Sequence, residues 1–471
     1  MPAPAQSRRG AWFALSVLFA INLLNFYDRQ IPAAVTKPIL TEWKLSLTSM
    51  GVLGTAFVLI YAAVGVPLGR LADRYSRTRI LGVGVTVWSL LTAASGMTWD
   101  YASMFVTRLG VGVGEASCAP AANSLVGDLF PPRQRARALA IFMLGLPIGI
   151  FLSNTISGWL AEHANWRTAF YVACIPGLLC GAATFLIREP VRGGSETCDT
   201  GLAGLSRPRP QRPGSPYVVV LGTPTIVWII VSGALHNFNM YATNSFLPTL
   251  IEIRHQQSHS RAGLIAGIVL GAVGIVGMLG GGLLADLRQR SRPNGRLQVA
   301  SAAMFLSAPL IYLGLDQAPG SIAGFMIFLG TGVMFMYVYY ASVYAAIQDV
   351  IEPGLRGTAM ALYFFAMYLV GGAFGSSVTG KLSDVLSRRA MTAAGVTVTD
   401  GPIPEHFQEI GLHQAFYVVP ALCVGLGIVL FAASRTVARD MRKLEDWYDE
   451  AERVAARGPA TVEAGEAVSS R

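Results

Sequence analysis

GRLADRYSRTR, Gly69–Arg79, closes the second long apolar run of this chain, and GGLLADLRQRSR, Gly281–Arg292, closes the eighth. Each combines glycine, which lets helices approach closely, with an aspartate at a helix end and a cluster of arginines. A second correspondence links FPPRQRARALAIFMLGLPIGIFLSNTISGWL (Phe130–Leu160) to IEPGLRGTAMALYFFAMYLVGGAFGSSVTGKL (Ile351–Leu382). Both run from proline through arginine into a helix of small residues and then a glycine-rich stretch. Such correspondence between two halves implies parallel repeats about an axis normal to a membrane, with binding sites near the midplane between them.

Composition agrees. Of 471 residues, 53% are hydrophobic and 13% charged, where a soluble chain would carry roughly a quarter charged residues. The 51 glycines suit helices that pack in lipid through small residues. A β-barrel would instead show short segments of alternating polarity. Apolar spans fall at about 11–36, 47–69, 79–97, 101–125, 136–161, 167–187, 224–251, 262–285, 297–315, 320–347, 357–383 and 412–434. The expected fold is an all-α integral membrane protein with twelve transmembrane helices in two pseudo-symmetric six-helix bundles. The bundles cover 1–187 and 217–434. Residues 188–216, rich in Gly, Pro, Ser and Arg, read as a flexible cytoplasmic linker. Residues 435–471 read as a cytoplasmic tail, helical and charged over Arg435–Ala456, lying along the membrane face, and disordered thereafter.

The net charge is +9. With the N-terminus placed in the cytoplasm, about 26 of the 36 Lys and Arg fall in cytoplasmic segments, the positive-inside signature. The chain is therefore expected in a cell (inner) membrane, multi-pass, with both termini cytoplasmic. The basic charge is not read as a nucleic-acid footprint. The first span exceeds a signal-peptide core and lacks a clear cleavage site, so it is expected to be retained. Five scattered cysteines show neither metal spacing nor a disulfide framework. No metal or organic cofactor is expected. The expected partners are the lipid bilayer and a small-molecule ligand, with the protein a monomer.

Charges inside apolar spans are the functional signal. Asp28 and Arg29 lie within INLLNFYDRQIPAAV (Ile21–Val35) of the first span. A charge in hydrocarbon costs from about 3 to more than 10 kcal/mol, so such residues face a water-filled cavity or partners on other helices. Neighbouring residues point about 100° apart on a helix, so Asp28 and Arg29 are expected to do different jobs. In the fourth span Arg108 and Glu115 are two turns apart on one face, and Gly110, Gly112 and Gly114 allow a neighbour to pack closely. By depth, Asp28 and Glu115 can meet. Burial and a nearby arginine act oppositely on a carboxylate's proton affinity, which lets it titrate near working pH. A buried ion pair that orders the bundle is the alternative for Arg108 and Glu115.

Gly69, Asp73, Arg74 and Arg77, with the partial second copy around Asp286, resemble the loop motif of the major facilitator superfamily. The resemblance implies alternating access by rocking of two bundles, with helices one, four, seven and ten lining a cavity. It makes this cluster a cytoplasmic gate that pairs with the other half when that side closes. INLLNFYDRQIPAAV, the VGVGEAS run (Val111–Ser117) and Asp128-Leu129-Phe130-Pro131 followed by Arg133 look like the Spinster branch. That branch implies transport of sphingosine phosphate or lysophospholipids, with proton coupling proposed for bacterial relatives. Its Asp-Arg pair maps onto Asp28 and Arg29, and its helix-four glutamate onto Glu115. Gln30-Ile31-Pro32 departs from the residues common in the family, which bears on the substrate.

In the second half, His236, Asn237, Asn239, Tyr241 and Asn244 lie on helix seven, and Tyr337, Tyr339, Tyr340 and Tyr344 on helix ten. Side chains with apolar bodies and hydrogen-bonding tips suit an amphipathic ligand. Neighbouring tyrosines cannot all face one cavity. His236 reads as a packing residue. Gly145-Leu146-Pro147-Ile148-Gly149 resembles a superfamily element of many exporters, without its second glycine pair.

The expected function is proton-coupled transport, with Glu115, Asp28 and Arg29 carrying the coupling and the proton as coupling ion. Arg29, Arg108, Glu115, Asn237, Asn239, Tyr241, Tyr340 and Tyr344 are the expected substrate contacts. An organic-acid or sugar-acid symporter of the same superfamily is the alternative. The dispersed histidines offer no catalytic cluster, so an enzyme is not expected.

Overall fold

The computed structural model describes residues 8–130, 132–190, 215–352, 355–396 and 403–456, which form helices and, among themselves, no strand. Helix one is Arg8–Ala34, helix two Leu47–Arg74 and helix three Arg77–Gly96. Helix four runs Tyr101–Glu115 and resumes at Cys118–Leu129. Helix five runs Pro132–Met143 and resumes at Gly145–His163, and helix six is Trp166–Thr184. Helix seven is Pro224–Arg254. Helix eight runs His259–Gly267 and Val273–Ser291 around a π-helical turn, Ile268–Ala272. Helix nine is Gly295–Leu315 and helix ten Ile322–Val350. Helix eleven runs Arg356–Ala366 and Ala373–Ala393 around a second π turn, Met367–Gly372. Helix twelve runs Glu405–Phe416 and Val418–Ala456.

Polar side chains start several of these helices by accepting otherwise orphaned backbone N–H groups. Ser46 caps helix two, Asp100 caps helix four in a reciprocal box with Ser103, and Asn165 caps helix six. Among the described residues, ten helices are long and apolar enough to cross a membrane. Helices four and seven are not among them, and the reason is physical. Helix four is broken and carries Arg108 and Glu115, and helix seven carries His236, Asn237, Asn239 and Asn244. Both face the space between the halves, so their polar groups are kept from lipid.

The linker expected at 188–216 falls mostly outside the described residues, as do residues 457–471. Pro216–Leu221 forms a short helix ahead of helix seven. The charged segment after Arg435 does not lie along the membrane face as a separate element. It continues the 39-residue helix Val418–Ala456, about 58 Å long at 1.5 Å per residue. Asp440 on this extension accepts the Thr225 N–H at 3.0 Å and its hydroxyl at 2.7 Å, capping the start of helix seven.

The two halves meet on the face opposite the termini, where helix two packs on helix eleven and helix five on helix eight. A Cβ added at Gly51 would sit 2.6 Å from the Ser376 carbonyl oxygen, so only glycine allows this crossing. Helices five and eight approach through Gly158 and Gly263 in the same way. Thr48 donates its N–H and hydroxyl to Asp384 at 3.0 and 2.5 Å. The Thr55 hydroxyl bonds the Ala373 carbonyl and lies 2.6 Å from the Ser377 hydroxyl. Gln30 of helix one donates to the Asn244 carbonyl of helix seven at 2.8 Å.

On the face that carries the termini, charges are satisfied within each half. Arg77, 1% exposed, begins helix three and binds Asp128 at the end of helix four and Glu189 after helix six, the latter at 2.8 Å. Arg296, near the start of helix nine, binds Asp349 at the end of helix ten and Asp286 at the end of helix eight, the latter at 2.9 Å. The sequence duplication is thus a duplicated clamp. Arg77 and Asp286, two residues of the expected gate, find their partners in their own bundles here, Asp128 and Glu189 for Arg77 and Arg296 for Asp286. Gly69 packs near Pro120 of helix four, Arg74 is exposed in the last turn of helix two, and the Asp73 side chain lies outside the described residues.

Two outcomes follow. Gly51→Leu should wedge helices two and eleven apart; spin labels at their ends opposite the termini should show a new longer-distance population, and an unchanged distribution would contradict the close-packed seal. Burial would raise the Glu189 pKa, but the Thr78 N–H, the Arg77 guanidinium and the Ser76 and Thr78 hydroxyls outweigh it and hold it at about 2, below 4.5. Its contribution to stability is therefore present above pH 4.5 and lost as pH falls toward 2. Glu189→Gln should lower the melting temperature at neutral pH, with the gap to wild type closing across that acid range.

Candidate functional site

Asp28, Arg29, Arg108 and Glu115 converge inside the first half. Arg29 donates from Nε to Glu115 Oε2 at 2.7 Å. Asp28 turns the other way, to helix three, where the Thr92 hydroxyl donates to it at 3.3 Å. Arg108 donates from Nη2 to the Asp28 backbone carbonyl at 3.0 Å. Asp28, Arg108 and Glu115 are 2%, 3% and 0% exposed.

Local sequence explains how Glu115 comes to be there. Pro120 lacks an N–H and its ring opposes the carbonyl four residues earlier, so the helix is interrupted after Glu115. The glycines expected to admit a neighbour do so: a Cβ on Gly114 would lie 2.7 Å from Trp88 Cβ of helix three. Aromatic rings cover the guanidinium groups. Arg29 lies 4.2 Å from the Tyr61 ring centre, 5.2 Å from Phe26 and 5.5 Å from Phe57, and Arg108 lies 5.5 Å from Phe57. Such contacts stabilise a desolvated cation by up to about 2 kcal/mol each.

Each of the four charged side chains keeps one buried polar atom without a protein partner: Asp28 Oδ1, Arg29 Nη2, Arg108 Nη1 and Glu115 Oε1. Buried polar atoms are normally satisfied, so four orphans in one cluster mark a place prepared for water, a proton or a ligand.

A cavity of about 140 Å³ opens beside this cluster, between the halves. Arg29 and Arg108 lie on its wall. From the second half come Asn237, Tyr241 and Asn244 of helix seven, Tyr340 and Tyr344 of helix ten, and Tyr368 of helix eleven. Glu115 is not on the wall and reaches the cavity through Arg29. Asn239 is a correction. Two residues from Asn237, it points the opposite way and donates to the Val419 carbonyl at 3.1 Å and Cys423 Sγ at 3.3 Å, packing helix seven on helix twelve. His236 is fully buried, stacked on Tyr339 at 4.0 Å and edge-on to Tyr340 at 4.9 Å. Tyr337 and Tyr339 point into the bundle and bond the Leu270 carbonyl and the Ser232 hydroxyl.

Sequence reasoning missed Tyr61 and Tyr368, which meet edge-to-face across the halves at 5.6 Å. Their signal was a single polar tip in an otherwise apolar span, too common in membrane helices to stand out.

A profile of the Major Facilitator Superfamily matches residues 18–376. An MFS-type efflux pump of Mycolicibacterium smegmatis is 28% identical over 391 residues, covering 80% of this chain and 86% of the pump. Protein spinster homolog 1 of Xenopus laevis is 30% identical over 390 residues, covering 79% of this chain and 73% of the relative. Among solved structures, an inward-facing, unoccupied bacterial homolog of the human lysosomal transporter Spinster superposes with a TM-score of 0.78 at 24% identity, covering 92% of this chain and 99% of that one. The chain is a membrane transporter, not an enzyme, and it belongs to the Spinster family of the major facilitator superfamily.

Proposed function

We propose that this transporter is a proton-coupled secondary carrier for an amphipathic or lipid-like anion, of the lysophospholipid or sphingosine-phosphate type, working by alternating access. The observation that carries this reading is the position of Arg29. One edge of its guanidinium holds Glu115, and the side chain lies on the wall of an aromatic cavity.

Charge balance supplies the coupling. Asp28, Arg29, Arg108 and Glu115 sum formally to zero, and a proton on Glu115 leaves one net positive charge in a poorly solvated place. An anionic head group on Arg29 and Arg108 compensates that charge, so proton and anion favour each other. Charge-assisted hydrogen bonds to planar guanidinium groups suit phosphate. Met240, Tyr241, Tyr340 and Tyr344 would take the apolar part of the ligand. The aromatic and apolar walls of the cavity favour this substrate class over a small organic acid.

In this reading the face with the termini is cytoplasmic, and the molecule is closed outside and open inside. The bundles at 1–187 and 217–434 rock as bodies about the cavity, in a monomer within a cell membrane. No organic cofactor or metal is required, and nucleic acid is not a partner.

In proteoliposomes Glu115→Gln should remain folded and lose the pH dependence of transport; a pH profile identical to wild type would sink the proposal. A thermal-shift screen of lysolipids, sphingoid phosphates and small organic acids at two pH values tests the substrate class, because ligands that bind the folded state stabilise it. Stabilisation by small carboxylates alone would overturn the lipid reading. Arg29→Lys keeps the charge but loses the planar fork, and should weaken head-group binding about tenfold or more, as read by the ligand concentration that gives half the thermal shift.

A further inference from the structure

Among the described residues, helices eight and eleven, which close the seal against helices five and two, are the two that contain π-helical turns, Ile268–Ala272 and Met367–Gly372. A π turn widens the backbone ring, weakens the local hydrogen-bond ladder and is a recognised origin of helix bending. In each turn a backbone carbonyl is bonded by a side chain from a cavity-side helix of the same half. Asn237 of helix seven donates from Nδ2 to the Met367 carbonyl at 2.8 Å. The Tyr337 hydroxyl of helix ten donates to the Leu270 carbonyl at 2.6 Å. One arrangement occurs twice, with helix seven pinning eleven and helix ten pinning eight.

The two pins differ in what they touch. Tyr337 is fully buried and lines no part of the cavity. Asn237 lies on the cavity wall. The turn that it pins also carries Tyr368, which meets Tyr61, and Tyr61 in turn lies under Arg29. The turn in helix eleven therefore lines the cavity and reaches the Arg29–Glu115 pair through Tyr61, and the turn in helix eight does neither.

We infer that the π turn of helix eleven is a ligand-responsive hinge, held by Asn237 and read through Tyr368, and that the turn of helix eight is a fixed hinge held by Tyr337. Asn237 is a positioning residue in this scheme. A ligand that recruits its amide removes the donor from the Met367 carbonyl and loosens helix eleven just where its continuation seals against helix two. The inference takes the cavity as the ligand site, as in the proposed function, and does not depend on which ligand binds.

The test is hydrogen–deuterium exchange of the intact protein in nanodiscs, with spin-label distances between the sealing ends of helices two and eleven. Asn237→Ala should speed exchange of the 367–373 amides about fivefold or more, the effect of losing one net hydrogen bond, and lengthen the label distance. Tyr337→Phe should speed exchange at 268–273 and leave 367–373 unchanged. Asn237→Gln, which keeps the donor, should restore slow exchange at least in part. Oleoyl lysophosphatidate should loosen 367–373 in wild type and change nothing further in Asn237→Ala. The inference is overturned if Asn237→Ala leaves both readouts at wild-type values, or if either variant loosens both turns alike. It is also overturned if lysophosphatidate raises the melting temperature without altering 367–373. Absence of any thermal shift counts against the lipid substrate instead, and the two variants still decide the hinge.

Discussion

A guanidinium and a carboxylate held 2.7 Å apart, away from bulk water, set the terms for the surrounding structure. Removing both ions from water is expensive, and their attraction compensates only when geometry is good and the remaining polar atoms are managed. The helix-four break at Pro120, the aromatic cover over Arg29 and the crossed bond from Arg108 to the Asp28 carbonyl all serve that requirement. Truncating either member of such a pair leaves an uncompensated charge at a cost of about 3–5 kcal/mol. The cavity follows from the same constraint, because charges that cannot face lipid must face each other or a polar space.

The clamps at Arg77 and Arg296 place the opposite demand on the face that carries the termini. Each gathers the ends of helices of one bundle around a single guanidinium. Under the proposed alternating access, such clamps would keep each bundle a body and leave the change to the contacts between them. Those contacts are made by helices two, five, eight and eleven, and two of these four carry π turns.

Much of this was legible in one dimension. A charge in an apolar run is conspicuous without any knowledge of neighbours, so Asp28, Arg29, Arg108 and Glu115 could be singled out before their geometry was known. The duplicated Gly69–Arg79 and Gly281–Arg292 segments likewise disclosed two halves. Helix rotation was not legible. Asn237 and Asn239 look equivalent in sequence, yet one lines the cavity and the other bonds helix twelve, because packing decides which face a helix presents. Among Tyr337, Tyr339, Tyr340 and Tyr344 the same uncertainty applies, and only the last two reach the cavity. The π turns leave no pattern in composition, and they reset the register of every residue that follows. The partners of Arg77 come from the ends of helix four and the segment after helix six, which no local spacing relates.

The closest crossings of the seal between the halves are made by glycine, serine and threonine, beside an apolar cluster that includes Leu47, Leu160, Phe246 and Ile265 from both halves. At the crossings themselves small side chains bury little apolar area, so the roughly 25 cal/mol per Å² of apolar burial comes from the cluster beside them. Their hydroxyls exchange partners readily with water, and the backbone surfaces they expose on parting are already polar. In the proposed alternating-access cycle, crossings of this kind part without stranding buried polar groups, because water takes the bonds that the hydroxyls give up.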